Sequence, residues 1–393
     1  MKHTTISEQR SEGSSPFNDE PLFKPGPASR LLAGVILMCG LVNRKKFKNK
    51  HWTSYAEYLQ FKLTKYRKKF FSSREEYSYF KRTTLNLITD RAARRHLALE
   101  QGRDLGKIQE HELRLRQTFV AIQKSIASSP LNQKLTFKHS GNAGDIIYSL
   151  PAVKALADGR PASLYLQLDQ PADYTGREHP LGNVKLNKFM AQGLFPLLRT
   201  QPYLSEVEIY SGQTIDFDLD DFRNLPIATD RGHIARWYFW VYGVTSDLTV
   251  PWLDVPKLDT PAKAIVLARS QRYRNGGLDF RFLNEMGLIR FVGTRGEFEE
   301  MRQMLPQLEY VECTDFLQLA RVIKSARFFI GNQSFPYSIA EAMKVPRVLE
   351  VCRICPNVIP DGANGFEALF QFNFERIVGQ LMKVTERTAY SHT

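Results

Sequence analysis

Apolar residues in this chain fall into two regimes. From about 51 to 128 they recur at helical spacing, as at Tyr55, Leu59, Leu63 and Tyr66. This stretch is nearly free of Gly and Pro and rich in Glu, Lys, Arg, Gln, Leu and Ala, which predicts long helices. Ser72-Ser73 ahead of Glu75-Glu76 reads as a helix start. After Ser128-Ser129-Pro130 the pattern changes to short apolar runs separated by helical stretches. Leu135–His139, Leu164–Leu168 and Val207–Tyr210 read as strands. Asp254-Val-Pro-Lys-Leu-Asp-Thr-Pro261 reads as a linker. Beyond it strands are expected at Ala264–Ala268, Leu288–Gly293, Glu309–Cys313, Arg327–Gly331 and Arg347–Val351. Helices are expected between them at Glu297–Leu305, Asp315–Ser325 and Pro336–Lys344. Phe372, Phe374, Ile377, Leu381 and Val384 mark a final helix.

Such alternation predicts parallel sheets covered on both faces. The expected organisation is a disordered tail at 1–30, then a basic, mainly helical region at 31–130. Two Rossmann-like, doubly wound α/β domains follow, at 131–257 and 258–393. Ligands of such sheets sit beyond the C-terminal strand ends, so the cleft between the two domains is the expected site.

Composition adds where charge lies. The formal net charge is +13. Between Arg44 and Arg95 there are 16 Lys/Arg against 4 Asp/Glu, so nearly the whole excess sits in one block. A local anionic partner is implied, such as a membrane surface, nucleic acid or an acidic polymer; no nucleic-acid motif is present, and a membrane surface is the preferred expectation. Leu31–Val42 is apolar but only 12 residues long, short of the roughly 20 that span a bilayer. It reads as a buried element or as an interfacial anchor beside the basic block. Four cysteines do not make a disulfide framework in a chain of 393 residues, which points to a reducing, cytoplasmic setting. Cys352-Arg-Ile-Cys355 lacks the partners of a zinc or redox motif and reads as two ordinary thiols.

Two strand–turn–helix segments carry the candidate chemistry. In the first, Gly141-Asn142-Ala-Gly144-Asp145 follows a strand and opens a helix. Its glycines permit close approach of a substrate. Asp145 is placed either to accept a proton from an attacking hydroxyl or simply to cap the helix. In the second, Gly331-Asn332-Gln333-Ser334-Phe335-Pro336 opens a helix whose N-terminus suits phosphate, with Ser334 as cap and hydroxyl donor. Glu341, two turns along, is a ribose ligand or a surface residue. Arg269, Arg272 and Arg274 follow a strand end and suit diphosphate oxygens. Gly293 and Thr294 form a turn that either walls a base pocket or is only structural.

Gly144-Asp145-Ile-Ile-Tyr-Ser-Leu-Pro151-Ala-Val-Lys-Ala-Leu156 resembles the N-terminal signature of the bacterial ADP-heptose:lipopolysaccharide heptosyltransferase family. Phe329-Ile-Gly-Asn-Gln-Ser334-Phe-Pro336-Tyr-Ser-Ile-Ala340-Glu-Ala342, followed by Val345-Pro346, resembles its donor-site signature. The resemblance covers roughly 131–385. It departs from the family's Asp-Ser-Gly-Pro run and following His, with Gln333, Phe335 and Ser338 at those positions, which points to a divergent member.

The resemblance implies a GT-B glycosyltransferase with an acceptor domain, a donor domain and a central cleft. It implies a nucleotide-diphospho-sugar as co-substrate, a glycan or lipid-linked acceptor, and no metal or cofactor. Asp145 would be the general base and Ser334 with its neighbours would hold the donor phosphates. The rival expectation is a non-catalytic nucleotide- or glycan-binding protein descended from such an enzyme.

Overall fold

The computed structural model describes residues 105–114, 116–117, 120, 130, 132–172, 182–224, 231–256, 258 and 264–390. The tail, the Leu31–Val42 run, the Arg44–Arg95 block and most of the rest of the basic region lie outside the described residues; residues 105–114, 116–117 and 120 of it are helical. No helix among the described residues is long and apolar enough to cross a membrane. The chain divides into Met1–Gly106 and Lys107–Thr393, and both sheets belong to the second part.

The first sheet is wholly parallel, in the order β3-β2-β1-β4. Its strands are β1 (Leu135–His139), β2 (Ala162–Leu166), β3 (Leu204–Ile209) and β4 (Phe217–Asp218). The second sheet is also parallel, in the order β10-β9-β8-β5-β6-β7. It consists of β5 (Ile265–Ala268), β6 (Ile289–Phe291), β7 (Glu309–Tyr310), β8 (Phe328–Asn332), β9 (Arg347–Glu350) and β10 (Gly365–Ala368). In both sheets the order reverses beside the first strand. This is the doubly wound arrangement, and it opens a ligand crevice where β1 meets β4 and where β5 meets β8.

Among the described residues, seven helices accompany the sheets: α1 (Ala143–Ala157), α2 (Lys188–Arg199), α3 (Ile234–Tyr242), α4 (Arg295–Arg302), α5 (Phe316–Lys324), α6 (Phe335–Ala342) and α7 (Gln371–Tyr390). Both α1 and α6 begin directly beyond a strand at the reversal point. Central strands β2, β5, β8 and β9 are buried along their whole length, as strands with helices on both faces must be. β1 alternates, with Leu135, Phe137 and His139 turned inward.

One hydrophobic core runs through the first sheet and on to the near face of the second, taking in Phe137, Ile147, Trp252, Phe329 and Tyr337. Another lies on the far face of the second sheet, where Phe291, Phe328 and Ile330 meet Phe374, Ile377 and Leu381 of α7. Of the residues expected to mark that helix, Phe372 and Val384 are exposed instead.

The expected Asp254–Pro261 linker does not begin as one. Leu253 and Val255 are buried, and the Asp254 N–H donates to Gln201 Oε1 at 2.8 Å. Just before it, Trp252 straps the two halves together. Pro151 inside α1 has no N–H for the carbonyl of Ile147. The Trp252 indole N–H donates to that carbonyl at 3.0 Å. Backbone N–H groups of Trp252 and Leu253 donate to Ala342 O, at 2.9 and 3.2 Å, and so close the end of α6. The helices that open the two crevices are thus joined by one segment.

Strand positions shift where pairing overrides hydropathy. β2 starts two residues before the expected Leu164, because Ala162 and Ser163 are buried and paired with Leu135 and Thr136 of β1. β4 and β10, unforeseen in the sequence, are too short or too polar to show a period.

Candidate functional site

A cavity of about 1360 Å³ opens between the crevices of the two sheets. From the first half, Asn142, Gly144 and Asp145 line it. From the second half come Arg269, Arg272, Gly293, Thr294, Gln333, Ser334, Phe335 and Pro336. The first turns of α1 and α6 are neighbours at its base: a Cβ added at Gly144 would lie 3.7 Å from Ser338 Oγ and 3.9 Å from Phe335 Cα. Gly141 is not on the cavity wall. It makes the turn into α1 with φ +94°, and a Cβ there would meet Leu186 Cβ at 2.9 Å.

Asp145 is the third residue of α1; it closes the helix start and also lines the cavity. Its Oδ2 accepts from the Asn142 N–H at 3.3 Å, closing the helix start, and from Arg223 Nη2 at 2.8 Å. Oδ1 has no hydrogen-bond partner among the described residues, and the residue faces the cavity. Arg223 comes from the short 3-10 turn Leu219–Asn224 that follows β4. It also donates to the Gly141 carbonyl and to Asp220 Oδ1. Asp220 in turn accepts from the Ser140 N–H and hydroxyl, at 2.9 and 2.8 Å. Burial weakens the charge on Arg223, but Asp145 and Asp220 more than offset this and hold its pKa above the usual value.

Behind this layer lies a buried chain. His139 Nδ1 accepts from the Gly141 N–H at 3.0 Å, so Nε2 carries the proton and donates to the Tyr238 hydroxyl oxygen at 2.8 Å. Tyr238 then donates to the Asp145 carbonyl at 3.2 Å. Arg223, Asp220, His139 and Tyr238 were not singled out in the sequence. The only signal was Asp218-Leu-Asp-Asp-Phe-Arg223 after a two-residue strand, which is too short to be recognised as a strand end.

The second half needs several corrections. Arg269 reaches the cavity wall, but Nε and Nη2 both grip Glu350, at 2.8 Å each, and the pair is buried. The fork expected to hold diphosphate is already filled by a carboxylate. Arg274 is not on the cavity wall; it pairs with Glu300 and donates to Ser270 O at 2.8 Å. Asn332 also turns away from the cavity. Its amide accepts from the Ser270 N–H at 3.1 Å and donates to the carbonyls of Ser270 and Arg272, at 3.0 and 2.6 Å. It therefore shapes the loop after β5 rather than binding ligand.

Glu341 is fully buried, so it is neither ribose ligand nor surface residue. Lys344 and Arg347 both pair with it, and the Asp361 N–H donates to Oε1 at 3.1 Å. Ser334 lies on the cavity, yet its hydroxyl does not cap α6; it donates to Asn332 O at 3.3 Å. Gln333 clasps a neighbouring loop. Nε2 donates to Cys355 O and Asn357 Oδ1, and Oε1 accepts from the Cys352 N–H. Cys313, Cys352 and Cys355 are not joined in disulfides. Thr294 caps α4, its N–H donating to Glu297 Oε2 at 2.9 Å, while Gly293 and Thr294 both remain on the cavity wall.

Two buried histidines make stability pH-dependent. Burial lowers the pKa of His139 and of His233, and the nearby Asp220 and Asp361 oppose this only in part. The unfolded chain therefore binds protons that the folded chain refuses, and stability falls as pH drops below about 6.5, the ordinary imidazole value. Each histidine contributes a slope of up to about 1.4 kcal/mol per pH unit. Thermal unfolding followed from about pH 7.5 to pH 5 should show the midpoint dropping. His139→Gln should flatten the drop, and a midpoint that stays level in the unmutated protein would contradict neutral buried imidazoles.

No family model matches the chain, and no curated protein matches it. Solved structures are similar over part of its length. The glycosyl transferase family 9 structure from Veillonella parvula DSM 2008 is 13% identical, over 65% of this chain and 90% of that one, with a TM-score of 0.41. The E. coli heptosyltransferase WaaC with ADP is 12% identical, over 64% and 100%, with a TM-score of 0.44. The E. coli ADP-heptose LPS heptosyltransferase II is 11% identical, over 65% and 100%, with a TM-score of 0.43. The last two are heptosyltransferases, the family whose signatures the two turns of this chain resemble.

Proposed function

We propose that this chain is an inverting, metal-independent glycosyltransferase that moves a sugar from a nucleotide-diphospho-sugar to an acceptor hydroxyl. One observation carries the reading. A carboxylate with an unoccupied oxygen, Asp145, lines the same cavity as Arg272 and the start of α6. The two groups come from different sheets, each beyond the strand ends where such folds take their ligands.

In this reading the acceptor hydroxyl gives its proton to Asp145 Oδ1 as its oxygen attacks the anomeric carbon. The bond between that carbon and the diphosphate breaks, and the electron pair leaves with the phosphate. Negative charge then grows on the phosphate, where fixed positive groups lower the barrier. The groups proposed for this are Arg272, the Phe335 N–H and, once turned away from Asn332 O, the Ser334 hydroxyl, since the first amides of a helix have no carbonyl of their own helix to bond. Arg223 keeps Oδ2 occupied and the carboxylate oriented, which supports the assignment of Oδ1 as proton acceptor. Donors other than ADP-heptose are expected, because Gln333, Phe335 and Ser338 replace the family's residues beside the donor.

The test is a panel of nucleotide sugars, read as product formation with a range of glycan and lipid-linked acceptors and as donor hydrolysis without one. Release of nucleoside diphosphate with at least one donor is the expected result. Thermal stabilisation by nucleotides with no turnover on any donor would select a non-catalytic binding protein instead.

A further inference from the structure

The loop between β5 and the Gly276-Gly277 pair holds an unexpected residue. Tyr273 has φ +58°, in the left-handed region that a bulky side chain rarely adopts. Such a backbone persists only where its surroundings enforce it. Here Asn332 ties the backbone of Ser270 and Arg272, and Arg274 ties the Ser270 carbonyl while paired with Glu300. A glycine would adopt this turn without strain, and two glycines follow within four residues. The chain nonetheless places a tyrosine at the strained position.

Its side chain explains the choice. Tyr273 is half-buried and lines the cavity beside Arg272, whose guanidinium carbon lies 5.1 Å from the ring centre. Its hydroxyl has no hydrogen-bond partner among the described residues. Burial raises the phenol pKa, and Arg272 acts in the opposite sense. The phenol therefore stays protonated at neutral pH, and Asp145 lines the same cavity.

We propose that the Tyr273 hydroxyl donates a hydrogen bond to the terminal phosphate of the bound nucleotide, the phosphate through which the sugar leaves. The bond being broken must lie between the proton-accepting carboxylate and the phosphate-binding cation. A neutral donor beside Arg272, in the cavity that Asp145 also lines, is placed to reach that bond. Asn332 and Arg274 are then positioning residues: they do not touch the ligand but force the turn that delivers Tyr273. This inference rests on the glycosyltransferase reading.

Calorimetric titration of the full chain with ADP, UDP and GDP, and with AMP, UMP and GMP, tests it. At least one diphosphate is expected to bind more tightly than its monophosphate. Tyr273→Phe should weaken that diphosphate by about tenfold, the effect of one hydrogen bond to a charged group, and leave the monophosphate unchanged. Tyr273→Gly should show the same loss with a melting temperature no lower than that of the unmutated protein, because the turn is relaxed. Equal diphosphate affinity in Tyr273→Phe would overturn the inference. A loss seen only with the intact nucleotide sugar would overturn it too, by moving the contact to the sugar. Tyr273→Gly that melts lower yet binds normally would reduce Tyr273 to a packing residue. If the unmutated protein binds none of the diphosphates, the glycosyltransferase reading itself falls.

Discussion

Asp145→Asn is expected to lower glycosyl transfer by about 10²–10⁴-fold, while nucleoside diphosphate affinity stays within about twofold of the unmutated value. The substitution is nearly isosteric. An asparagine oxygen can still accept from the Asn142 N–H and from Arg223, the two contacts that hold Asp145 in place. The first turn of α1 should survive, and with it the wall of the cavity. What disappears is an oxygen able to take a proton from the acceptor as the new bond forms. Because the groups proposed to hold the diphosphate belong to the other half of the cavity, donor binding should be indifferent to the change. The measurement is turnover with the best donor and acceptor found, beside calorimetry with the nucleoside diphosphate. Turnover within about threefold of the unmutated protein, in a variant of normal melting temperature, would remove Asp145 from the mechanism.

The largest effect on stability is expected from Glu341→Ala. Glu341, Arg347 and Lys344 form a cluster in which the side chains of Glu341 and Arg347 are wholly buried and that of Lys344 nearly so. Removing the carboxylate leaves two cations in a site with little water. Breaking a buried pair in this way costs about 3–5 kcal/mol, far more than loss of a surface ion pair. The cluster also receives the Asp361 N–H and supports the end of α6, so the loss falls on the joint between the two halves. Replacing both charges, as in Glu341→Leu with Arg347→Met, should recover at least about half of the loss, because no buried guanidinium is then left alone. Denaturant unfolding of the two variants separates these outcomes. If Glu341→Ala were as stable as the unmutated protein but bound nucleotide weakly, the ribose role would return.

Hydropathy and turn chemistry disclosed much of the architecture. β5, β8 and β9 are apolar throughout because helices cover both faces, so they are visible as short apolar runs. The turns at Gly141–Asp145 and Gly331–Pro336 could be read for a related reason. A doubly wound sheet must pass from strand to helix in a few residues, and only small or capping residues do so without strain. Asp145 and Ser334 were placed at the cavity by that logic, since backbone geometry fixes where such residues sit. Side-chain pairing across the fold followed no such rule. Arg269, Arg272 and Arg274 are equivalent in sequence, yet Glu350 takes the first and Glu300 the third, while Arg272 lines the cavity beside Tyr273.

The same division holds for the chain as a whole. Periodicity and the small residues at two turns were sufficient to specify parallel α/β units and the ends at which ligands gather, because these follow from local backbone preference and from which face is buried. Packing alone decided that Trp252 would join α1 to α6, that Glu341 would become a buried counterion, and that Arg223 would orient Asp145. The Arg223–Asp145 and Trp252–Ile147 partners stand 78 and 105 residues apart in the chain, and their attraction has no expression until the sheets bring them together.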